Sequence, residues 1–178
     1  MAEITLVEYD PAWPVRYREV ADELATALSG TPVAIDHIGS TSVPGLAAKP
    51  VIDVMVTVDD VDASHGAVHR ALTGVGYDWH DDNDDARKRF YKRTEPFVVH
   101  VHVRRRDCFS ASAALLLRDY LRAEPAARAT YESTKRRLAA RGDVWRDVDE
   151  YADAKGDTVW QLLREADRWA WSGDQPTR

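Results

Sequence analysis

The sequence predicts an α+β fold, and three observations carry that prediction. Short β-branched runs lie in the first part of the chain, and long stretches rich in Ala, Leu, Arg and Glu fill the last part. That segregation favours α+β over a doubly wound sheet, in which the two kinds alternate. A length of 178 residues suits one domain and one core.

The elements follow in order. Residues 4–7 are a short β-prone run that Asp10-Pro11 breaks. Pro14 stands well at a helix start. Val20, Leu24, Ala27 and Leu28 recur at helical spacing, which predicts a helix over 15–28 ended by Ser29-Gly30-Thr31-Pro32. Residues 33–38 read as a strand and 39–50 as a loop. Residues 51–58 (VIDVMVTV) are nearly continuous and β-branched, a buried strand with one acid inside it. A helix over 61–72 closes at Gly74 and Gly76. Residues 87–92 and 97–104 pattern as two hairpin strands joined by Arg93-Thr94-Glu95-Pro96. Residues 111–141 predict two helices separated at Pro125, and a last helix runs over about 148–171. The organisation is one domain over 1–172 with a polar tail at 173–178.

Composition narrows the function classes. Hydrophobic residues make up 44% and charged residues 30%, both signs interleaved, as in a globular protein with a solvated surface. The formal net charge of −6 argues against a sequence-independent nucleic-acid binder, whose affinity comes from neutralising phosphates. Cys108 is the single cysteine, so neither an internal disulfide nor a cysteine zinc site is expected. The opening MAEITLVEYDPAW lacks a basic and then apolar leader, and no apolar run approaches the ~20 residues that span a bilayer. The expectation is a cytoplasmic protein without membrane partners. Six tryptophans read as helix-packing aromatics. The acidic run Asp81-Asp82-Asn83-Asp84-Asp85 lacks the spacing and glycine of a calcium loop and reads as a solvated loop.

The stretch from His37 to Asp53 (HIGSTSVPGLAAKPVID) carries the chemistry. Gly39-Ser40-Thr41-Ser42 follows directly on a strand. A turn of small residues lets backbone N–H groups point outward, and three hydroxyls add donors suited to phosphate oxygens. Lys49 supplies a charge near the far end of the loop. Asp53 lies inside an apolar strand, where a carboxylate is costly unless paired or metal-bound. On a strand, residues two apart share a face, so Met55 lies on the side of Asp53 while Ile52 and Val54 face the other way. Asp53 is either a structural acid bonded to the hydroxyl loop or a metal- or substrate-binding group.

His100 and His102, in VVHVHV, share a face by the same rule. Such a pair serves as metal ligands, acid–base groups or phosphate donors. Arg87, Arg89 and Lys92 lie on the predicted partner strand; Arg87 and Arg89 share a face, as anion-binding groups would, or are solvated hairpin charges. On the later helices Arg118 and Arg122, Tyr131 and Lys135, and Tyr151 and Lys155 each stand at i, i+4. Their simplest reading is helix packing and surface pairing; Arg118 and Lys155 are the best candidates to reach an anionic substrate.

These residues carry a resemblance. The opening VEYDPAWPVRYREV, the block HIGSTSVPGLAAKPVIDVMV, Gly76-Tyr77, VHVHV, LRDYLRAEPAARATYESTKRRLA, and Tyr151 with Lys155 together resemble the GrpB family, over nearly the whole chain. The resemblance implies a nucleotidyltransferase-like fold. In that fold a Gly-Ser turn precedes a strand with an Asp-x-Asp or Asp-x-Glu pair, a third carboxylate comes from a later strand, and the acids hold divalent ions that clamp a nucleoside triphosphate. Gly39-Ser40 matches the turn and Asp53 the first acid. Met55 takes the second acid's place, and His100 and His102 stand in the later strand. One carboxylate with two imidazoles suits a transition metal such as zinc, manganese or iron better than a magnesium pair. The resemblance also implies a link to dephospho-CoA kinase, to which GrpB-like domains are fused in some bacteria.

Three functions compete. The first is an enzyme acting on a nucleotide or other phosphorylated small molecule: Gly39, Ser40, Thr41 and Ser42 bind phosphate, Lys49, Arg89, Arg118 and Lys155 balance its charge, and Asp53, His100 and His102 hold a divalent metal (Mg, Mn or Zn) or move protons. The second is a non-catalytic nucleotide- or coenzyme A precursor-binding module, supported by Met55. The third is a condensing or hydrolysing enzyme for a small acyl or amino-acid substrate; a Ser/His/Asp set is present, but no G-x-S-x-G elbow is.

Overall fold

The computed structural model describes residues 4–80, 88–141, 145 and 148–172. Arg87, the acidic run at 81–85 and the tail at 173–178 lie outside the described residues.

Five strands form one mixed sheet: β1 (Ala34–Ile38), β2 (Ile52–Val58), β3 (Asp78–His80), β4 (Lys88–Arg93) and β5 (Val99–Arg105), in the spatial order β1-β2-β5-β4-β3. β2 and β5 run parallel at the centre; the other neighbours are antiparallel. Alternation along the central strands separates two environments. Ile52, Val54, Val56 and Val58 of β2 and Val99, Val101 and Val103 of β5 point to one face. There they pack under α1 (Trp13–Ala27) and α2 (Val61–Gly74) through Trp13, Val20, Leu24, Val68 and Leu72. Fully burying one such aliphatic side chain contributes about 1.5–3 kcal/mol, so this layer anchors the sheet. Pro at the first turn starts α1, and the Asp60 carboxylate caps α2 by accepting from the Asp62 and Ala63 amides at 2.9 Å each.

The opposite face of β1, β2 and β5 meets the C-terminal helices. α3 (Phe109–Ala123) lays Ala111, Ala114 and Leu115 on Ile38 and Met55. α3, α4 (Pro125–Ala139) and α6 (Gly156–Trp171) share a second core of Val43, Leu46, Leu121, Ala127, Tyr131 and Leu162. Pro125 breaks the helical run as expected, opening α4 at its first turn.

Three elements depart from the sequence expectation. Residues 4–7 form no strand: Val7 makes one antiparallel bridge to Ala48, and Ile4 packs with Leu138, Trp145 and Tyr151 instead. β3 is only three residues long, too short to leave a pattern. The last helix is two helices, α5 (Val148–Asp153) and α6, with Lys155 at the N-cap between them. Gly156, a poor helix former, begins the second. That joint turns Lys155 inward.

Candidate functional site

The site grows from the central strands. β2 and β5 are parallel and in register at Asp53↔His100 and Met55↔His102. The Asp53 carboxylate therefore lies between two imidazoles: Oδ1 is 3.5 Å from His100 Nδ1 and 3.4 Å from His102 Nε2. One ligand atom from each of the three residues lies within 4.8 Å of the others. Burial opposes ionisation of Asp53, but the bonds from His100 and His102 and their charges outweigh it and hold the carboxyl well below the usual carboxylate range. The Asp53 side chain keeps 27% of its surface accessible, so the cluster opens to the outside.

Gly39 makes room for this acid. It has φ +70°, and a Cβ there would strike Asp53 Oδ2 and come within 3.0 Å of Asp53 Cβ and Cγ. Glycine is required on both counts. The chain then winds into a 3-10 turn (Ser40–Ser42), whose later amides bond inward, Ser42 N–H to the Gly39 carbonyl and Val43 N–H to that of Ser40, at 3.2 Å each. Among the described residues, the Ser40 and Thr41 amides have no backbone acceptor, as expected for the first donors of a helical turn.

The three hydroxyls do not act alike. Ser42 Oγ donates to the Gly39 carbonyl at 2.5 Å and is buried. Thr41 Oγ1 donates to the Val51 carbonyl at 2.9 Å, and the hydroxyl oxygen accepts from His37 Nε2 at 3.2 Å. His37 is buried, stacked on Tyr17 at 4.4 Å, and pushed down to about 4 by burial and the nearby Arg122 charge, so it is neutral. The hydroxyls of Thr41 and Ser42 thus bind the turn to the sheet rather than offering donors to a ligand. Ser40 is the hydroxyl left at the cavity, which Tyr131 also lines.

A cavity of about 320 Å³ opens over these groups. Of the residues expected from sequence it brings together Gly39, Ser40, Thr41, Lys49, Asp53, His100, His102, Arg118 and Lys155. Ser42 is left behind the turn. Arg89 is a correction. β4 pairs with β5 at Arg89↔Val103 and Phe90↔His102, so the period of two places Arg89 on the face away from the histidines. There it bonds Asp62 of α2 at 2.8 Å. Phe90 holds the expected side, its ring centroid 5.1 Å from each of the His100 and His102 rings.

The cavity's cations come from the loop and the last helices. Arg118 donates to the His37 carbonyl at 3.1 Å and to Asp119 at 2.8 Å, and pairs with Asp36 at 3.4 Å. Lys49 and Lys155 lie over the Tyr151 ring at 5.7 and 4.5 Å. Burial and the Lys49 charge push Lys155 down to about 8. Lys135 of α4 is 2% exposed, donates to the Ala47 carbonyl and lies 5.0 Å over the Tyr131 ring. Burial and the Lys155 charge push it down to about 7. Tyr131, Lys135 and Tyr151 complete the cavity and were not assigned to it from sequence. Their i, i+4 pairings were visible; which helix faces converge was not. Val43, Leu117 and Leu121 supply an apolar wall.

A mixed five-stranded sheet, a Gly-Ser turn leading to a strand with an inward acid, and a helical part closing the cavity define a protein of nucleotidyltransferase-like fold. Solved structures agree: Cid1 poly(U) polymerase bound to MgGTP superposes with a TM-score of 0.55 at 18% identity, over 75% of this chain and 44% of Cid1. The chain belongs to the GrpB family, whose model, described as GrpB protein, matches residues 3–165. The crystal structure of GrpB from Enterococcus faecalis superposes with a TM-score of 0.81 at 30% identity, covering 94% of this chain and all of that one. A UPF0157 protein of Streptomyces coelicolor is 40% identical over 92% of this chain and 84% of its own length. A dephospho-CoA kinase of Mycolicibacterium paratuberculosis is 32% identical over 95% of this chain, which spans 47% of that kinase. No helix among the described residues is long and apolar enough to cross a membrane.

Proposed function

We propose that the protein binds a nucleotide or another phosphorylated small molecule in this cavity and acts on it by nucleotidyl or phosphoryl transfer, or by activating a carboxylate through such a step, with one divalent metal ion. The observation that carries this reading is the convergence of the Ser40 turn, three lysines and Arg118 with the Asp53/His100/His102 cluster on a single cavity. Phosphate recognition needs unengaged amides and cations; the Ser40 and Thr41 amides and the lysines with Arg118 are the groups that support it.

The donor set tests the metal. Two imidazole nitrogens and one carboxylate oxygen within 4.8 Å fit a single transition metal, zinc or manganese. They do not fit a magnesium pair, because Met55 is buried where the second oxygen ligand would stand. A bound ion would supply Lewis-acid polarisation of a phosphoryl oxygen. The chain's own groups do the rest. Ser40 and the turn amides orient the phosphate, while Lys49 and Lys155 offset its charge. Arg118 holds β1 against α3 at the cavity edge, and Asp53 stays ionised. The dephospho-CoA kinase relatives extend the candidate ligands to coenzyme A precursors and suggest a functional link to that kinase.

The test is titration calorimetry with ATP, GTP and dephospho-CoA, each with and without Mn²⁺ or Zn²⁺, on the native chain and Asp53→Asn. Metal-dependent binding that Asp53→Asn abolishes is expected. No binding of any of these ligands under any metal condition overturns the reading. Met55 favours a second reading, a binding module without turnover; metal-stimulated release of pyrophosphate or phosphate excludes it.

A further inference from the structure

Five of the chain's 24 Lys and Arg residues are lysines: Lys49, Lys88, Lys92, Lys135 and Lys155. The chain uses arginine almost wherever a positive charge suffices, yet three of the five lysines line the one cavity described above, and Arg118 is the arginine beside them. Arginine binds phosphate and carboxylate at least as well as lysine, often in two-pronged geometry. What it cannot do is lose its proton and present a lone pair. The choice of lysine at these positions therefore points to amine chemistry rather than to charge alone.

We propose that Lys135 is a nucleophilic amine that condenses with the carbonyl group of a small anionic carbonyl compound, a 2-oxo acid or a phosphorylated aldehyde, admitted to the cavity. Three geometric observations support the chemistry at this residue. Lys135 is almost wholly buried yet lines the cavity, so its access is through that cavity. Its side chain lies against the Tyr131 ring, and the Ala47 carbonyl accepts one of its hydrogens, which fixes the amine in place. Lys49 and Lys155 line the same cavity and bring positive charge for the anionic group of the carbonyl compound, with the Tyr151 ring beneath both. Burial beside a second cation is also the arrangement that keeps a lysine partly neutral, and Lys135 is lowered to about 7 in this way.

The step balances without a further reagent. The Nζ lone pair adds to the carbonyl carbon; the carbonyl oxygen then leaves as water, taking the two amine protons, and a C=N bond remains. Nothing is oxidised or reduced. The inference stands apart from the nucleotide reading, since it requires neither a triphosphate nor a metal.

The experiment is reductive trapping of the full chain at pH 7.5 in sodium cyanoborohydride, with pyridoxal 5′-phosphate in one arm and glyoxylate in the other. Intact mass and peptide mapping are the readouts. Adduct at Lys135 is expected in at least one arm, formed at least roughly tenfold faster than at Lys88 or Lys92, because a lysine amine in water is almost wholly protonated at that pH. Labelling by pyridoxal phosphate alone selects phosphorylated aldehydes, and labelling by glyoxylate alone selects 2-oxo acids. Lys135→Met, whose fold is checked by circular dichroism, loses the fast adduct. Adducts spread evenly over the five lysines, an adduct at Lys155 with Lys135 untouched, or no adduct in either arm overturns the proposal.

Discussion

Replacing Lys135 by Met separates what the buried lysine costs the fold from what it does for the site. In the folded chain its amine is lowered from 10.5 to about 7 by burial and the Lys155 charge. The folded value lies below the unfolded one, so between these pH values the unfolded chain binds the extra proton and stability rises with pH. Below pH 7 the charged, buried amine costs about 5 kcal/mol, taking 1.36 kcal/mol per unit; near pH 8 this is about 3 kcal/mol, and above pH 10.5 it vanishes. Met has a similar length and no charge, so the cost disappears, less about 1–3 kcal/mol for the Ala47 carbonyl left without its donor. Lys135→Met should therefore be more stable than the native chain at pH 6, by about 2–4 kcal/mol, and no more stable at pH 10. The part of the slope due to Lys155, lowered to about 8, should remain. The assay is urea unfolding followed by circular dichroism at pH 6, 8 and 10. At pH 6, where the Lys135 amine is protonated, binding of ATP or inorganic phosphate to the same variant should weaken at least about tenfold, the loss of one charge-assisted contact. Equal pH slopes for the two proteins would refute the burial argument. A stabilised variant that binds anions as before would show that the lysine is not held there for them.

Three further outcomes follow from particular contacts. Gly39→Ala, which meets both a φ of +70° and the Asp53 carboxylate, should lose at least about 2 kcal/mol in urea unfolding and weaken zinc binding in a metal-competition titration; unchanged stability would contradict the packing described. His37, buried and lowered from 6.5 to about 4, should cost about 3 kcal/mol of stability as pH falls from 6.5 to 4, because the unfolded imidazole takes up a proton that the folded one refuses; His37→Phe should flatten the unfolding curve over that range. Arg89→Ala, on the far face of the sheet and paired with exposed Asp62, should shift stability by less than about 1 kcal/mol and leave phosphate binding within twofold; a larger loss of binding would place Arg89 at the site after all.

Much of this protein is set by local pattern. The β-branched runs, the prolines at helix starts and the glycines at turns define all but the shortest strand, because propensity and period act over a few residues. The same period of two places Asp53 with Met55, and His100 with His102, on common faces, and both pairings hold in the folded chain. The Gly39-Ser40 turn is legible for the same reason: a small-residue turn after a strand is a local event. What only the tertiary structure decided depends on contacts distant in sequence. The parallel register of β2 and β5 brings Asp53 beside His100, and the antiparallel register of β4 sends Arg89 to the opposite face; one residue of slip would reverse either. The His37 and Val51 partners draw Thr41 inward, leaving Ser40 as the hydroxyl at the cavity. Lys135 and Lys155 meet there because α4 packs under the loop at Ala47 and the chain turns between α5 and α6. A helix presents several faces, and no short-range rule chooses which one a neighbour will cover.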